Sequence, residues 1–257
     1  MIEKKYLAPN AITAGNMLLG YLSITLSIKA SSSSTYFMGI KGDYTYAVWF
    51  IIAAMVFDAL DGKAARKFDA FSEFGKEFDS FCDAISFGLA PGILIFSILN
   101  SSHSMSQFVV PISFIYALFG VIRLVKFNIV TVASSEKDDF SGMPIPCAAA
   151  LITSYYLITG AINQNSFLQH QNLFSYKFFT FISIFSAILM VSTIPFKTPD
   201  KIFSFIPKWG FIPFFLIIIA TLKYSMFILT AFYVLTNIFS HFINRFFPEI
   251  MKNGDFN

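Results

Sequence analysis

The sequence predicts an all-α integral membrane protein, and three observations carry that expectation. Charged residues make up only 13% of the chain against 56% hydrophobic, whereas a soluble domain carries about 25% charged residues. Phenylalanine alone occurs 34 times, a load that lipid accepts and water does not. Finally, the apolar residues gather into eight runs of helical length, at 11–28, 46–62, 80–99, 108–130, 145–162, 178–195, 209–222 and 224–243, as in a chain that passes the bilayer several times.

The first run follows "KKYLAPN", where Pro9 and Asn10 mark a helix entry. It is too long for a signal-peptide core and no A-x-A site follows it, so it is expected to be retained. The second and third runs flank a charged stretch that is treated below. The fourth ends in Arg123 and Lys126, and the fifth opens after Gly142, Pro144 and Pro146, residues suited to a loop and helix start. The last two runs are each short for a full span, and only Lys223 separates them, so they also read as one bent helix. The connectors "SSSSTYFMGIKGDYT" and "INQNSFLQHQNLFSY" are short and polar.

The basic residues orient these runs. With the N-terminus in the cytoplasm, 14 of the 18 Lys and Arg residues fall on the inner side, and only Lys29, Lys41, Lys177 and Lys223 fall outside. The positive-inside rule therefore puts both termini in the cytoplasm. The net charge of +3 is small and suggests no nucleic-acid partner. Cys82 and Cys147 lie in different apolar runs and His103, His170 and His241 are scattered, so neither a disulfide framework nor a His-based metal site is expected.

Within "DALDGKAARKFDAFSEFGKEFDSFCD" (58–83), Asp58 and Asp61 are three residues apart, and Asp79 and Asp83 four apart. At 3.6 residues per turn each pair lies on one helix face. The loop around 67–75 joins the two helices, so all four acids sit near the same, cytoplasmic, end. An acid at the bilayer centre costs about 2.5–3.5 kcal/mol, and four together repel, so a cation must hold them. A cluster of oxygen ligands suits one or two Mg²⁺ or Mn²⁺ ions. Gly62, Ala65 and Gly75 open space beside the acids, and Arg66 offers a guanidinium with bidentate phosphate geometry. Together these features describe a diphosphate site. Lys67, Asp69, Glu73, Lys76 and Glu77 read as a solvated helix end, and Cys82, about 100° off the acid face, reads as packing.

The run Asp58-x-x-Asp61-Gly62-x-x-Ala65-Arg66, eight residues, then Gly75-x-x-x-Asp79-x-x-x-Asp83 resembles, without departure, the full signature of the CDP-alcohol phosphatidyltransferases. The resemblance implies a six-helix membrane core, a homodimer, a divalent metal and transfer of a substituted phosphate from a CDP-alcohol to a hydroxyl with release of CMP. It divides the chain into a core at 1–205 and accessory C-terminal helices and tail at 206–257. "APNAITAGNMLLGY" (8–21), "DAISFGLAPG" (83–92), "RLVKFNIV" (123–130), "FSGMPIPCAAA" (140–150) and "MVSTIPF" (190–196) are similar to the branch of the family that makes phosphatidylserine.

That branch implies CDP-diacylglycerol and L-serine as substrates and a cytoplasmic (inner) membrane location with the active site facing the cytoplasm. On this reading Asp58, Asp61, Asp79 and Asp83 ligate metal, and Asp83 is also the general base. Gly62, Ala65, Arg66, Gly75, Thr13 and Asn16 bind the CDP diphosphate; Arg123, Lys126 and Asn128 bind the acceptor. Within the family the acceptor could instead be glycerol 3-phosphate or inositol phosphate. Outside it, a phospholipase-D mechanism lacks its H-x-K motif, because Met105, Asn172 and Ile243 follow the three histidines at that spacing. A cation transporter would spread its acids through the membrane depth rather than gather them at one end.

Overall fold

The computed structural model describes residues 4–31, 36–37, 40–41, 43–101, 107–133, 140–163, 175–196 and 221–246. Its helices are α1 (Lys4–Ser31), α2 (Tyr44–Lys67), α3 (Glu73–Asp83), α4 (Ala90–Asn100), α5 (Val109–Ala133), α6 (Ile145–Asn163), α7 (Tyr176–Val191) and α8 (Leu222–Phe246). A π-helical turn, Ala84–Leu89, joins α3 to α4. Among the described residues, five helical segments suit a membrane crossing by length and composition: Tyr6–Ser31, Tyr44–Lys67, Glu73–Asn100, Val109–Ile129 and Leu222–Ile243. The protein is thus all-α and multi-pass. Two strand pairs supplement the helices, β1 (Tyr36–Phe37) with β2 (Ile40–Lys41) and β3 (Phe140–Ser141) with β4 (Pro195–Phe196), both antiparallel.

Helix α1 begins at Lys4, earlier than the expected entry at Pro9 and Asn10. A proline near a helix start forfeits few hydrogen bonds, and Thr13 Oγ1 donates to the Pro9 carbonyl at 3.1 Å. The predicted run at 209–222 lies almost wholly outside the described residues, and the run at 224–243 is covered by α8.

Helix α1 lies along α2 and also meets α4 and the π turn; α5 packs on α7, and α8 on α6. In lipid, water does not drive helices together, so close backbone approach through small residues takes over. A Cβ placed on Gly20 of α1 would lie 2.8 Å from the Ser86 Cα, and one on Gly120 of α5 would lie 3.4 Å from the Gly88 Cα. Phe87, Leu94, Tyr116, Phe179 and Met190 fill the interior. Large apolar side chains on the outer faces, such as Phe114, Ile129, Phe181 and Phe239, remain exposed, as expected for surfaces facing lipid.

The π turn has a local cause. Pro91 carries no N–H, so the Phe87 carbonyl four residues earlier lacks its helical donor, and the proline ring crowds that carbonyl. The chain widens instead, with the Ala90 N–H donating to the Ile85 carbonyl five residues back. On the side that the sequence assigns to the cytoplasm, β3 and β4 join the stretches 140–143 and 189–196. The Gly142 N–H donates to the Ile194 carbonyl and the Met143 N–H to the Leu189 carbonyl, both at 2.9 Å. Gly142 adopts φ +84°, a conformation that favours glycine.

Candidate active site

The site is built first by a tight turn between α2 and α3. Helix α2 ends in a Schellman motif: the Ala70 N–H donates to the Ala65 carbonyl at 3.0 Å and the Asp69 N–H to the Arg66 carbonyl at 3.5 Å. Asp69 takes the left-handed conformation (φ 48°) that this cap requires. Ser72 then caps α3, its Oγ accepting the Gly75 N–H at 3.0 Å. The two helices therefore run antiparallel from a short link, and their acid faces meet.

Asp58, Asp61 and Asp79 form a group in which one carboxylate oxygen from each lies within 4.8 Å of the others. Asp61 is buried, and its Oδ2 and the Asp79 Oδ1 have no hydrogen-bond partner. Leaving buried carboxylate oxygens unpaired is costly, and a divalent cation with oxygen ligands removes that cost. Six oxygens at about 2.0–2.1 Å from Mg²⁺ stand roughly 2.9 Å apart when adjacent and 4.1 Å when opposite. Three carboxylates that each bring an oxygen within 4.8 Å of the others, with two buried unpartnered oxygens among them, are within reach of one shared ion, so the residues present fit a divalent metal.

Asp83 stands outside this group of three. It is buried, and its Oδ1 accepts a hydrogen bond from Asn16 Nδ2 at 3.0 Å. Ser86, one turn on, donates to the Asn16 backbone carbonyl at 3.0 Å. Asn16 is therefore gripped twice, from Asp83 and from Ser86, and Gly20 allows the approach. The sequence expected Asn16 to line the nucleotide site; in the structure it bonds to Asp83.

Above Asp61 and Asp79 opens a cavity of about 220 Å³. Gly62, Ala65 and Arg66 of α2 line one side, Ser72, Gly75 and Lys76 of α3 another, and Pro9, Asn10 and Thr13 of α1 a third. The nearest atoms to a Cβ at Gly62 would be those of the Arg66 guanidinium, at 3.9 and 4.0 Å, so the floor beside the acids is clear. The first turn of α3 adds backbone N–H groups and the positive end of its dipole. Lys67, Asp69, Glu73, Lys76 and Glu77 are exposed, as expected for a helix end, and Cys82 is fully buried. Ser72, Lys76 and Asn10 are cavity residues that the sequence reading did not select. Ser72 had a signal, because a serine just before a charged helix start is a cap; Asn10 had none.

The three residues expected at the acceptor do not share one environment. Arg123 is 5% exposed, its guanidinium sits 5.1 Å from the Phe127 ring centroid, and its Nε has no hydrogen-bond partner. Lys126 Nζ donates to Ser141 Oγ at 3.1 Å, next to the β3–β4 pair. Asn128 faces α3, its Nδ2 donating to Ser80 Oγ at 3.0 Å beside Asp79. Arg123 and Asn128 differ by about 140° around α5.

Comparison with known proteins adds an independent line. A family model described as CDP-alcohol phosphatidyltransferase matches residues 6–198. A CDP-diacylglycerol–serine O-phosphatidyltransferase of Helicobacter pylori is 32% identical over 218 residues, covering 85% of this chain and 81% of the relative. An archaetidylserine synthase of Methanothermobacter thermautotrophicus is 34% identical over 194 residues, covering 75% and 70%. A CDP-diacylglycerol–serine O-phosphatidyltransferase of Bacillus subtilis is 37% identical over 140 residues, covering 54% and 70%.

Proposed function

The chain belongs to the CDP-alcohol phosphatidyltransferase family, and on that premise we propose that it is a phosphatidylserine synthase. It transfers the phosphatidyl group of CDP-diacylglycerol to the hydroxyl of L-serine, giving phosphatidylserine and CMP. One observation carries the chemistry: three carboxylates with two unpartnered buried oxygens converge beneath a cavity that Arg66 and Lys76 line. The choice of serine is supported by relatives from three sources, each named for the synthesis of a serine phospholipid.

Asp58, Asp61 and Asp79 would hold one or two Mg²⁺ or Mn²⁺ ions, which when bound neutralise charge on the diphosphate and on departing CMP. Arg66 pairs with diphosphate oxygens, and the first turn of α3 with Lys76 supports the same anion. Gly62, Ala65 and Gly75 leave room for the diphosphate against the backbone. Asp83 takes the proton of the serine hydroxyl on Oδ2, because Oδ1 is engaged by Asn16. The serine oxygen forms its bond to the phosphorus that carries diacylglycerol as the bond from that phosphorus to the CMP oxygen breaks. Arg123 and Lys126 are the cations for the serine carboxylate; the unpartnered Arg123 Nε supports this role. Asn128 holds α5 against α3 through Ser80.

The active site and both termini face the cytoplasm, the protein resides in the cytoplasmic membrane, and two copies form a homodimer. Residues 1–205 carry the reaction; within the accessory part at 206–257, α8 braces it by setting Tyr233 against Phe196 with ring centroids 5.9 Å apart. The test is CMP release from CDP-diacylglycerol by purified protein with Mg²⁺ or Mn²⁺, offered serine, glycerol 3-phosphate or inositol phosphate. Serine-dependent release, lost in Asp83→Asn, is expected. Release with glycerol 3-phosphate or inositol phosphate but not with serine would overturn the acceptor assignment.

A further inference from the structure

Asp83 is the last residue before the π turn, so whatever fixes that turn fixes the rotation of its side chain about the helix axis. One additional residue per turn rotates the following helix by about 100° relative to a continuous α-helix. The turn is held on one side by Ser86, whose Oγ donates to the Asn16 carbonyl. From α5, the hydroxyl of Tyr116 donates at 3.3 Å to the Phe87 carbonyl that Pro91 cannot serve. Tyr116 is fully buried and reaches across the interior to this carbonyl. Gly88 and Gly120 meet beside it and allow α5 to come close.

We propose that Tyr116 is a positioning residue for Asp83: its hydroxyl stabilises the Pro91-induced π turn and thereby sets the direction of the carboxylate. The inference rests on the reading of Asp83 as the proton acceptor. Tyr116 touches no substrate. It replaces the backbone donor that proline removes, and the widened turn keeps Asp83 and Ser86 together on Asn16. If the turn relaxed into an α-helix, Asp83 would rotate away from Asn16.

The test is a double-mutant cycle with Tyr116→Phe and Pro91→Ala in the full-length protein, measured in lipid or detergent with whichever acceptor the wild type uses. Tyr116→Phe is expected to lower kcat about 10- to 100-fold, the loss that a small misplacement of a reacting group brings, with KM for both substrates within about twofold. Pro91→Ala restores an N–H for the Phe87 carbonyl, so it is expected to leave thermal stability unchanged or higher while kcat falls. Adding Tyr116→Phe to Pro91→Ala should then change kcat little, because the hydroxyl has lost its task. Affinity for Mn²⁺ alone should match the wild type in all three variants. A wild-type kcat in either single variant, or multiplicative losses in the double variant, would overturn the proposal. Should Tyr116→Phe fail to fold, the opposed changes in stability and kcat of Pro91→Ala decide the matter alone. A wild type that uses an acceptor other than serine would overturn the serine assignment and leave this cycle measurable.

Discussion

A single methyl group at Gly20 is expected to disable the site from a position that touches no substrate. The added Cβ would lie 2.8 Å from the Ser86 Cα and 2.5 Å from its Oγ. The hydroxyl can turn away, but the Cα belongs to the backbone of the π turn and cannot. Ordinary carbon contact is about 3.5–4.0 Å, so α1 must retreat from the turn by roughly 0.7–1.2 Å. Asn16 lies one turn away on the same face, bonded to Asp83 at 3.0 Å. A retreat of that size takes the pair past about 3.6 Å, where no hydrogen bond remains. Overpacking of this kind costs about 1–3 kcal/mol, and the freed Asp83 is expected to lower kcat about 10- to 100-fold. The assay pairs CMP release with thermal unfolding in detergent. Gly160→Ala is the control, since nothing lies within 4 Å of its added Cβ; it should keep wild-type kcat and be neutral or stabilising by up to about 1 kcal/mol. Gly20→Ala with wild-type kcat and wild-type melting temperature would refute the reasoning.

Three further outcomes are expected. Asp79→Asn should cut Mn²⁺ affinity at least about 10-fold by titration calorimetry yet raise the melting temperature of metal-free protein, because one of three mutually repelling carboxylates is gone; unchanged affinity would count against the triad. Ser141→Ala removes the hydroxyl that holds Lys126 and should raise KM for serine about 3- to 10-fold, equivalent to a hydrogen bond of about 1 kcal/mol, with KM for CDP-diacylglycerol unchanged. Gly142→Ala forces a side chain into a left-handed conformation, about 1–2 kcal/mol by itself, and puts a Cβ 2.5 Å from the Met190 carbonyl oxygen; circular dichroism should show a clear loss of thermal stability.

The acids were legible because their chemistry is local. Spacings of three and four residues define helix faces, a five-residue link forces the helices antiparallel, and lipid makes unpaired carboxylates conspicuous. The partner of Asp83 was not legible: the sequence gives Asp83 as ligand and general base, but Asn16, which bonds to it, is 67 residues away. The π turn could be suspected from Pro91 in an otherwise apolar run, but its support comes from Tyr116, 29 residues from Phe87. The pairing of 140–141 with 195–196 was likewise hidden, since two-residue strands leave no periodicity to read. The early start of α1 is hidden because Pro9 marks a boundary in sequence, although the first turns of a helix tolerate proline.

The turn from Phe68 to Ser72 has a consequence for how the protein is made and for how it changes. Asp58, Asp61, Arg66, Lys76 and Asp79 all belong to one helical hairpin, so most of the cavity lining is present once two consecutive helices have left the ribosome. Its geometry needs only local closure, which is entropically inexpensive and fast. Arg123, Lys126 and Ser141 come from later helices and a strand pair that closes only after α7 is in place. The part proposed to handle the nucleotide is thus largely local, with α1 closing its third side, whereas the part proposed for the acceptor is a late assembly of distant pieces. On the proposed roles, substitutions in α5 and the β3–β4 clasp are expected to redirect the phosphatidyl group to a different alcohol while the hairpin stays unaltered.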